Sequence, residues 1–592
     1  LALPVLLSII ISLWVTVVYV STGTALLRFL GWQGRTTLER LVIGTAIGFG
    51  IVGNLITLLN FLQCARVEII IGLLAVLSVL SLPLWKHVPG LLRLLPLSIP
   101  RSRELIALLL LAFLLMLYFF RTLLPPSGFD ALMYHLSSAR LYLEHHGFYN
   151  VFFNAQSHFP MLTEMNFMIG MAAGNDSVCR QIDFVTGLLA CGALALFSGK
   201  CGLNRTMTML GCILFLTMTV VIAAYTGCDV DLSMAAWIAL AIYCAMEERD
   251  HKTPGALILA ALFTGMALQT KIFGVFAVPV VLLAAGMPKR ETWKKHAILM
   301  VTPLLMALPW YAKSYLFTGS ILAIPGTMIK DQGLGLPMGI AAASPLINIL
   351  INVPLRIVSA PWTFSLMPSL HQQEMLGPLF IMLLPFAFVV ALSGMSKRLI
   401  WLSAVYLAEV LFMEMVFIPG GASIRYTLVI PLLLIPVVVR IVSDLRRAWP
   451  VAGRIVTALL LLQIAFGTLL LVKRYHRDWI ALVQLKSRTG YYESILPQYP
   501  AINYVNNLPQ GAKVLTIFNY DNYLVTIPYI AAYRSWNNRD TLLADLARYR
   551  ITHILANNVF DTASNRTAFG VFDEQQLVFS RNGFRVFAVE PE

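Results

Sequence analysis

Behind the apolar run from Leu105 to Phe120, which Arg121 ends, the chain reads Pro125-Pro126-Ser127-Gly128-Phe129-Asp130-Ala131-Leu132-Met133-Tyr134-His135. Asp130 therefore heads a polar, aromatic-rich loop directly after a stretch of membrane-spanning character. An ionisable group at that boundary is costly to place and is a functional-site candidate for that reason. Its position suggests chemistry on something the membrane delivers. Tyr134, His135, Arg140, Glu164, Asp229, Asp231, Lys271, Lys313 and Arg425 fall near the same boundary, and with Asp130 they come from six separate segments. Asp229 and Asp231 put two carboxylates at the start of a span, which is unfavourable unless they are hydrated, paired or used. Each residue also has an ordinary reading. Asp130 could cap a loop helix, and the two later aspartates could sit hydrated at a helix N-terminus. Lys271 and Arg425 could snorkel, and Tyr134 could belong to an interfacial aromatic belt.

The elements that must position these residues are membrane helices. With 58% hydrophobic and 12% charged residues and a mean hydropathy of +0.77, the chain reads as polytopic. Spans of about 20 apolar residues match the roughly 30 Å hydrocarbon core, and their backbone must be helical to satisfy its own amides. Fourteen spans are expected, at about 1–20, 41–62, 67–85, 104–121, 179–198, 205–225, 230–246, 255–270, 272–286, 296–317, 376–394, 398–418, 425–442 and 453–472. Residues 1–20 are read as a span rather than a cleaved signal, since no basic region precedes them. The transmembrane domain then covers 1–472, with long loops at 122–178 and 318–375. Amphipathic helices on the outer leaflet are expected at Ala139 to His146 and Ile347 to Ser359.

Composition changes after Val472, and 473–592 reads as a soluble α/β domain. Strands are expected at Lys513 to Phe518, Ile551 to Ala556 and Phe584 to Val589, and a helix at Asp540 to Arg550. All seven cysteines lie in or beside spans, where apolar packing explains them. The loops on one side of the membrane hold 21 lysines and arginines and those on the other side nine. The basic side is therefore the cytoplasm, and Asp130, both long loops and the soluble domain lie outside. The net charge of +14 is mostly this topology and contact with anionic lipid. It does not indicate nucleic acid, because no basic patch is interleaved with aromatics. No GxxxxGK[ST] loop is present, Gly333 to Gly339 misses the dinucleotide spacing, and histidines 135, 145, 146 and 158 fit no HExxH or CxxC pattern.

Several of these segments also carry a resemblance. Asp130-Ala-Leu-Met-Tyr134-His135, Phe159-Pro-Met-Leu-Thr-Glu164-Met, the segment GMALQTK ending at Lys271, Pro309-Trp-Tyr-Ala-Lys313 and Arg425-Tyr426 resemble, in order and sidedness, the GT-C superfamily of membrane glycosyltransferases. The similarity is to the branch of bacterial protein mannosyltransferase-like and lipid A aminoarabinose transferase-like enzymes. It departs from the protein mannosyltransferases in having Asp130-Ala131 where they carry an Asp-Glu pair.

The resemblance implies a GT-C-like all-α bundle with a C-terminal α/β domain, in the bacterial cytoplasmic membrane. The implied reaction is inverting transfer of a sugar from a polyprenyl-phosphate donor to a hydroxyl of a glycan, lipid or protein acceptor outside. Asp130 is then the base, and Lys271, Arg425 and Lys313 hold the donor phosphate. Tyr134, His135, Glu164, Asp229 and Asp231 contact substrate, and Asp130, Asp229 and Asp231 are candidate ligands for a divalent cation such as Mg or Mn. A flippase or transporter of a lipid-linked glycan and an O-antigen ligase or polymerase are the alternative readings. No inverted repeat of the transporter kind is visible.

Overall fold

The computed structural model describes the chain except for residues 1, 33, 86–101, 322–393, 418–423, 518–520, 532–538, 558–574 and 590–592. Its first part is a helical bundle: α1 (Ala2–Phe29), α2 (Thr37–Phe61), α3 (Val67–Trp85), α4 (Ser102–Arg121), α5 (Leu136–Glu144), α6 (Leu162–Ala172), α7 (Ser177–Lys200), α8 (Arg205–Leu216), α9 (Thr219–Ala224), α10 (Asp231–His251), α11 (Ala256–Thr270), α12 (Ala277–Ala285), α13 (Trp293–Thr318), α14 (Gly394–Phe417), α15 (Val429–Ala448) and α16 (Pro450–Arg474). Among the described residues, α1, α2, α4, α7, α13 and α16 are each long and apolar enough to cross a membrane. Their packing argues the same way. Leu105, Ile106, Leu109 and Phe113 on α4, and Leu461, Leu462 and Leu469 on α16, stay exposed in the folded chain, a surface that only lipid tolerates. α10 is buried nearly all round, from Asp231 to Glu247, as a helix at the bundle centre should be.

Helices cover every expected span except 376–394, which lies outside the described residues, as does the expected surface helix at 347–359. The span expected at 205–225 is broken into α8 and α9. The Thr217 hydroxyl donates to the carbonyls of Ile213 and Leu214, and Met218 is extended. Gly467 packs so tightly on Thr217 that a β-carbon there would lie 2.0 Å from its carbonyl oxygen. The surface helix expected at 139–146 forms as α5 but is buried along most of its length. It lies beneath the C-terminal part of the chain, where Arg140 donates to the carbonyls of Tyr523 and Val525.

The two ends of the bundle differ. Residues of the basic loops meet each other at one end, where Glu247 pairs with Lys200 and Arg35, and Asp250 with Arg398. The opposite end carries loop 122–178 and the C-terminal region. That region contains α17 (His476–Val483), α18 (Arg488–Ile495), α19 (Tyr499–Asn506) and α20 (Arg539–Tyr549), with strands β1 (Val514–Ile517), β2 (Tyr529–Ala531), β3 (His553–Asn557), β4 (Gln576–Arg581) and β5 (Phe584–Ala588). The strand order is β2-β1-β3-β5-β4. β1 is parallel to β2 and β3, and β5 is antiparallel to β3 and β4. Leu515, Ile517, Ile554 and Phe587 pack under α20 residues Leu542 and Leu546 in a core of their own.

Candidate active site

Two loops are pressed together at this end. A β-carbon on Gly128 would lie 2.7 Å from the Gly227 carbonyl oxygen, so glycine is what lets the Asp130 loop reach the loop before α10. Thr226 (φ 61°) and Cys228 (φ 64°) hold left-handed backbone there, which is strained for a β-branched residue. The strain is held by buried ionic groups. Arg121 donates to the Tyr225 carbonyl and the Thr226 hydroxyl, both at 2.8 Å. Arg180 donates to the carbonyls of Thr226 at 2.9 Å and Pro125 at 2.9 Å, tying both loops at once. The Cys228 amide donates to Asp183 at 2.9 Å. Nothing in the sequence marks out Arg121, Arg180 and Asp183, because only the folded loop shows what they hold.

The two loops present an alternating chain of charge. Arg425, in a 3₁₀ turn before α15, donates to Asp130 at 2.8 Å and stands 3.8 Å from Asp231. Asp231 accepts at 2.7 Å from Lys271. Lys271 reaches it because α11 ends there in extended backbone, and Gly274 closes the following turn where a β-carbon would lie 2.0 Å from the Ala267 carbonyl oxygen. Burial alone would lower the Lys271 ammonium, but Asp231 holds it above its ordinary value. The Lys271 ammonium also stands 4.9 Å from the Tyr426 ring centre. Burial, then Asp130, pushes Asp229 up to about 6, and burial with Asp130 and Asp231 holds the Tyr134 phenol well above its usual value.

A cavity of about 680 Å³ opens on this cluster, lined by Asp130, Asp229, Arg425, Arg121, Arg474 and Arg477 among others. The three additional arginines come from α4 and the junction of α16 with α17, and their number at one mouth favours an anionic ligand. Lys271 and Lys313 do not line this cavity. Lys271 touches the cluster through Asp231. Lys313 departs further from the phosphate-binding expectation. Its ammonium donates to the Ser157 carbonyl at 2.8 Å inside a cage of Tyr142, Phe148 and Trp310. Beside it His158 is buried with neither ring nitrogen hydrogen-bonded to a described residue, and burial and then Lys313 push its pKa down to about 3. His135 and Glu164 meet at 2.6 Å (Nδ1 to Oε1), one layer behind Asp130.

The family described as dolichyl-phosphate-mannose-protein mannosyltransferase (PMT) matches residues 154–325, a stretch holding Glu164, Asp229, Asp231, Lys271 and Lys313. The fold is similar to that of ArnT from Cupriavidus metallidurans bound to undecaprenyl phosphate, with a TM-score of 0.53 and 12% identity, over 83% of this chain and 100% of that one. For the apo state of the same protein the TM-score is 0.49 at 12% identity, over 82% and 99% of the two chains. No curated protein matches the chain by sequence. The chain is thus a multi-pass membrane protein of GT-C architecture. Residues 154–325 carry the sequence likeness to the mannosyltransferase family, and the likeness in fold extends over most of the chain.

Proposed function

We propose that this chain transfers a sugar, with inversion, from a polyprenyl-phosphate donor to an acceptor hydroxyl at the outer face of the bacterial cytoplasmic membrane. The observation that carries the reading is the Asp130–Arg425 pair on the cavity wall at the membrane boundary. It puts a proton acceptor and a phosphate-binding cation within one carboxylate's length of each other. The undecaprenyl phosphate bound by the structural neighbour and the dolichyl-phosphate-mannose of the matching family's description support a lipid-phosphate donor.

The acceptor hydroxyl attacks the anomeric carbon while Asp130 takes its proton. The bond from that carbon to the phosphate oxygen breaks, and the electron pair leaves with the phosphate. Arg425, whose planar guanidinium suits bidentate phosphate contact, holds that growing charge together with the arginines of the cavity mouth. Arg425 exchanges Asp130 for the phosphate as the donor enters, which frees the base only when donor is present. Asp231 and Lys271 orient Arg425 from behind.

The test is Asp130→Asn in the full chain, assayed for release of free carrier phosphate from a labelled polyprenyl-phosphate monosaccharide. Loss of a general base is expected to lower turnover by about 10²–10⁴-fold with donor binding nearly intact. A folded variant that keeps more than about a tenth of wild-type turnover refutes Asp130 as the base. Movement of intact donor across the membrane, with no carrier phosphate released by wild type, would instead establish a flippase.

A further inference from the structure

Each carboxylate in the cluster has a direct ion-pair partner among the described residues except Asp229, which feels the charge of Arg425 without touching it. Asp130 is paired with Arg425, and Asp231 with Lys271 and Arg425. The Asp229 carboxylate makes no hydrogen bond or ion pair with a described residue, although the residue is only 8% exposed. An unpaired buried carboxylate is expensive unless a cation meets it. One ligand atom each from Asp130, His135 and Asp229 lies within 4.8 Å of the others. Because Nδ1 of His135 faces Glu164 at 2.6 Å and a carboxylate only accepts, Nδ1 carries the hydrogen. That leaves the Nε2 lone pair for a ligand. An imidazole that donates its far N–H to a carboxylate is the usual support of a metal-binding histidine, since it fixes the tautomer and raises ligand basicity.

We infer that Asp130, His135 and Asp229 bind one divalent transition-metal ion, Mn²⁺ or Zn²⁺, at the cavity floor, with Glu164 as the positioning residue behind His135. The donor set of one nitrogen and two carboxylate oxygens sets the choice, since Mg²⁺ and Ca²⁺ prefer oxygen alone. His135 stands where the sequence suggested Asp231, whose oxygens are engaged by Lys271 and Arg425. Two ligands of one ion lie about 3–4 Å apart at bonding distances near 2.1 Å, so binding requires a small inward rotation of the carboxylates. Asp130 keeps Oδ2 on Arg425 and turns its other oxygen to the ion. Each oxygen has two lone pairs, so ligation leaves one for a proton. A role for the ion in transfer, unlike its binding, rests on the proposed reaction.

The experiment is a titration of the chelator-stripped full chain in detergent with Mn²⁺ alone, followed by electron paramagnetic resonance, with Zn²⁺ as competitor. One bound Mn²⁺ per chain, displaced by Zn²⁺, is expected. Asp229→Asn and His135→Gln should each weaken binding at least about tenfold, and Glu164→Gln by about 10–100-fold through the orientation of His135. A thermal melt of each variant shows that the loss is not unfolding. A wild type that retains no Mn²⁺, or folded Asp229→Asn and His135→Gln variants that bind it as wild type does, overturns the site. If Mn²⁺ binds as expected but wild type releases no carrier phosphate, the ion site stands and the transfer reading falls. If no ion binds while Asp130→Asn loses turnover, the reverse holds.

Discussion

Arg425 touches Asp130 on the cavity wall and Asp231 behind it, whereas Lys271 touches Asp231 alone, so their removal should fail in different ways. On the proposed reaction, Arg425→Ala takes away a charge-assisted contact to the leaving phosphate worth about 1.5–3 kcal/mol. A loss of about 10- to 100-fold in kcat/KM is expected, with weaker product inhibition by free polyprenyl phosphate. Lys271→Ala instead leaves Asp231 buried without its nearest partner, a defect that typically costs about 3–5 kcal/mol of stability. Its melting temperature in detergent should drop while product inhibition stays near wild type. Inhibition by the carrier phosphate that is unchanged in Arg425→Ala would remove Arg425 from the phosphate site, and an unchanged melting temperature in Lys271→Ala would refute the structural role of Lys271. His158 makes a separate prediction. Its folded pKa is about 3, below the unfolded value near 6.5, so the native state binds fewer protons and stability falls as pH drops below about 6.5. By pH 5 about 2 kcal/mol should be lost, and His158→Phe should flatten that part of the pH-stability curve. Identical curves would show that His158 is solvated. Asp130, Asp231, Lys271 and Arg425 were legible in the sequence because charge at a membrane boundary is costly and therefore conspicuous. The His135–Glu164 contact and the caged Lys313 were not, since both depend on how α5 packs beside α6 and α13.

At the scale of elements, the site rests on how closely two loops approach. Gly128→Ala would drive a β-carbon into the Gly227 carbonyl, and the backbone must give because neither partner is a flexible side chain. The expected result is a fall in kcat of at least about tenfold with a small change in melting temperature, because misplacement of reacting groups by about 1 Å can cost 10²-fold. A kcat within twofold of wild type would mean that the loops need not touch. This approach left only a weak trace in the sequence, two glycines among 38. The spans themselves were plain from hydropathy. The break at Thr217–Met218 was not, since both flanking segments are apolar and the break is set by contact with Gly467. In the C-terminal sheet, β1, β3 and β5 showed in their apolar runs. β2 has three residues and β4 has no buried face, so neither gave the alternation that marks a half-buried strand.

Across the whole molecule, the C-terminal region is tied to the loop that carries Asp130. Arg488 grips Asp176 through two nitrogens at 2.7 and 2.6 Å. Tyr492 donates to the Pro126 carbonyl at 3.0 Å, and Arg121 at the end of α4 pairs with Asp478 at 3.1 Å. Ile495 and Leu496 complete the cavity wall, so this region shapes the cavity as well as covering the bundle. Sidedness is therefore one question for the site and for this region, and the lysine and arginine distribution predicts that both lie outside. The check is accessibility in a variant whose seven cysteines are replaced by alanine, with single cysteines returned at exposed positions. Asn150→Cys in the long loop and Glu493→Cys in α18 should react with a membrane-impermeant thiol reagent on intact cells. Arg290→Cys, from a basic loop, should react only after permeabilisation. Labelling of Arg290→Cys alone in intact cells would invert the topology. A cavity facing the cytoplasm would then meet soluble nucleotide sugars, and the lipid-phosphate donor would lose its main physical argument, which is delivery from within the membrane to a face where no such donors exist.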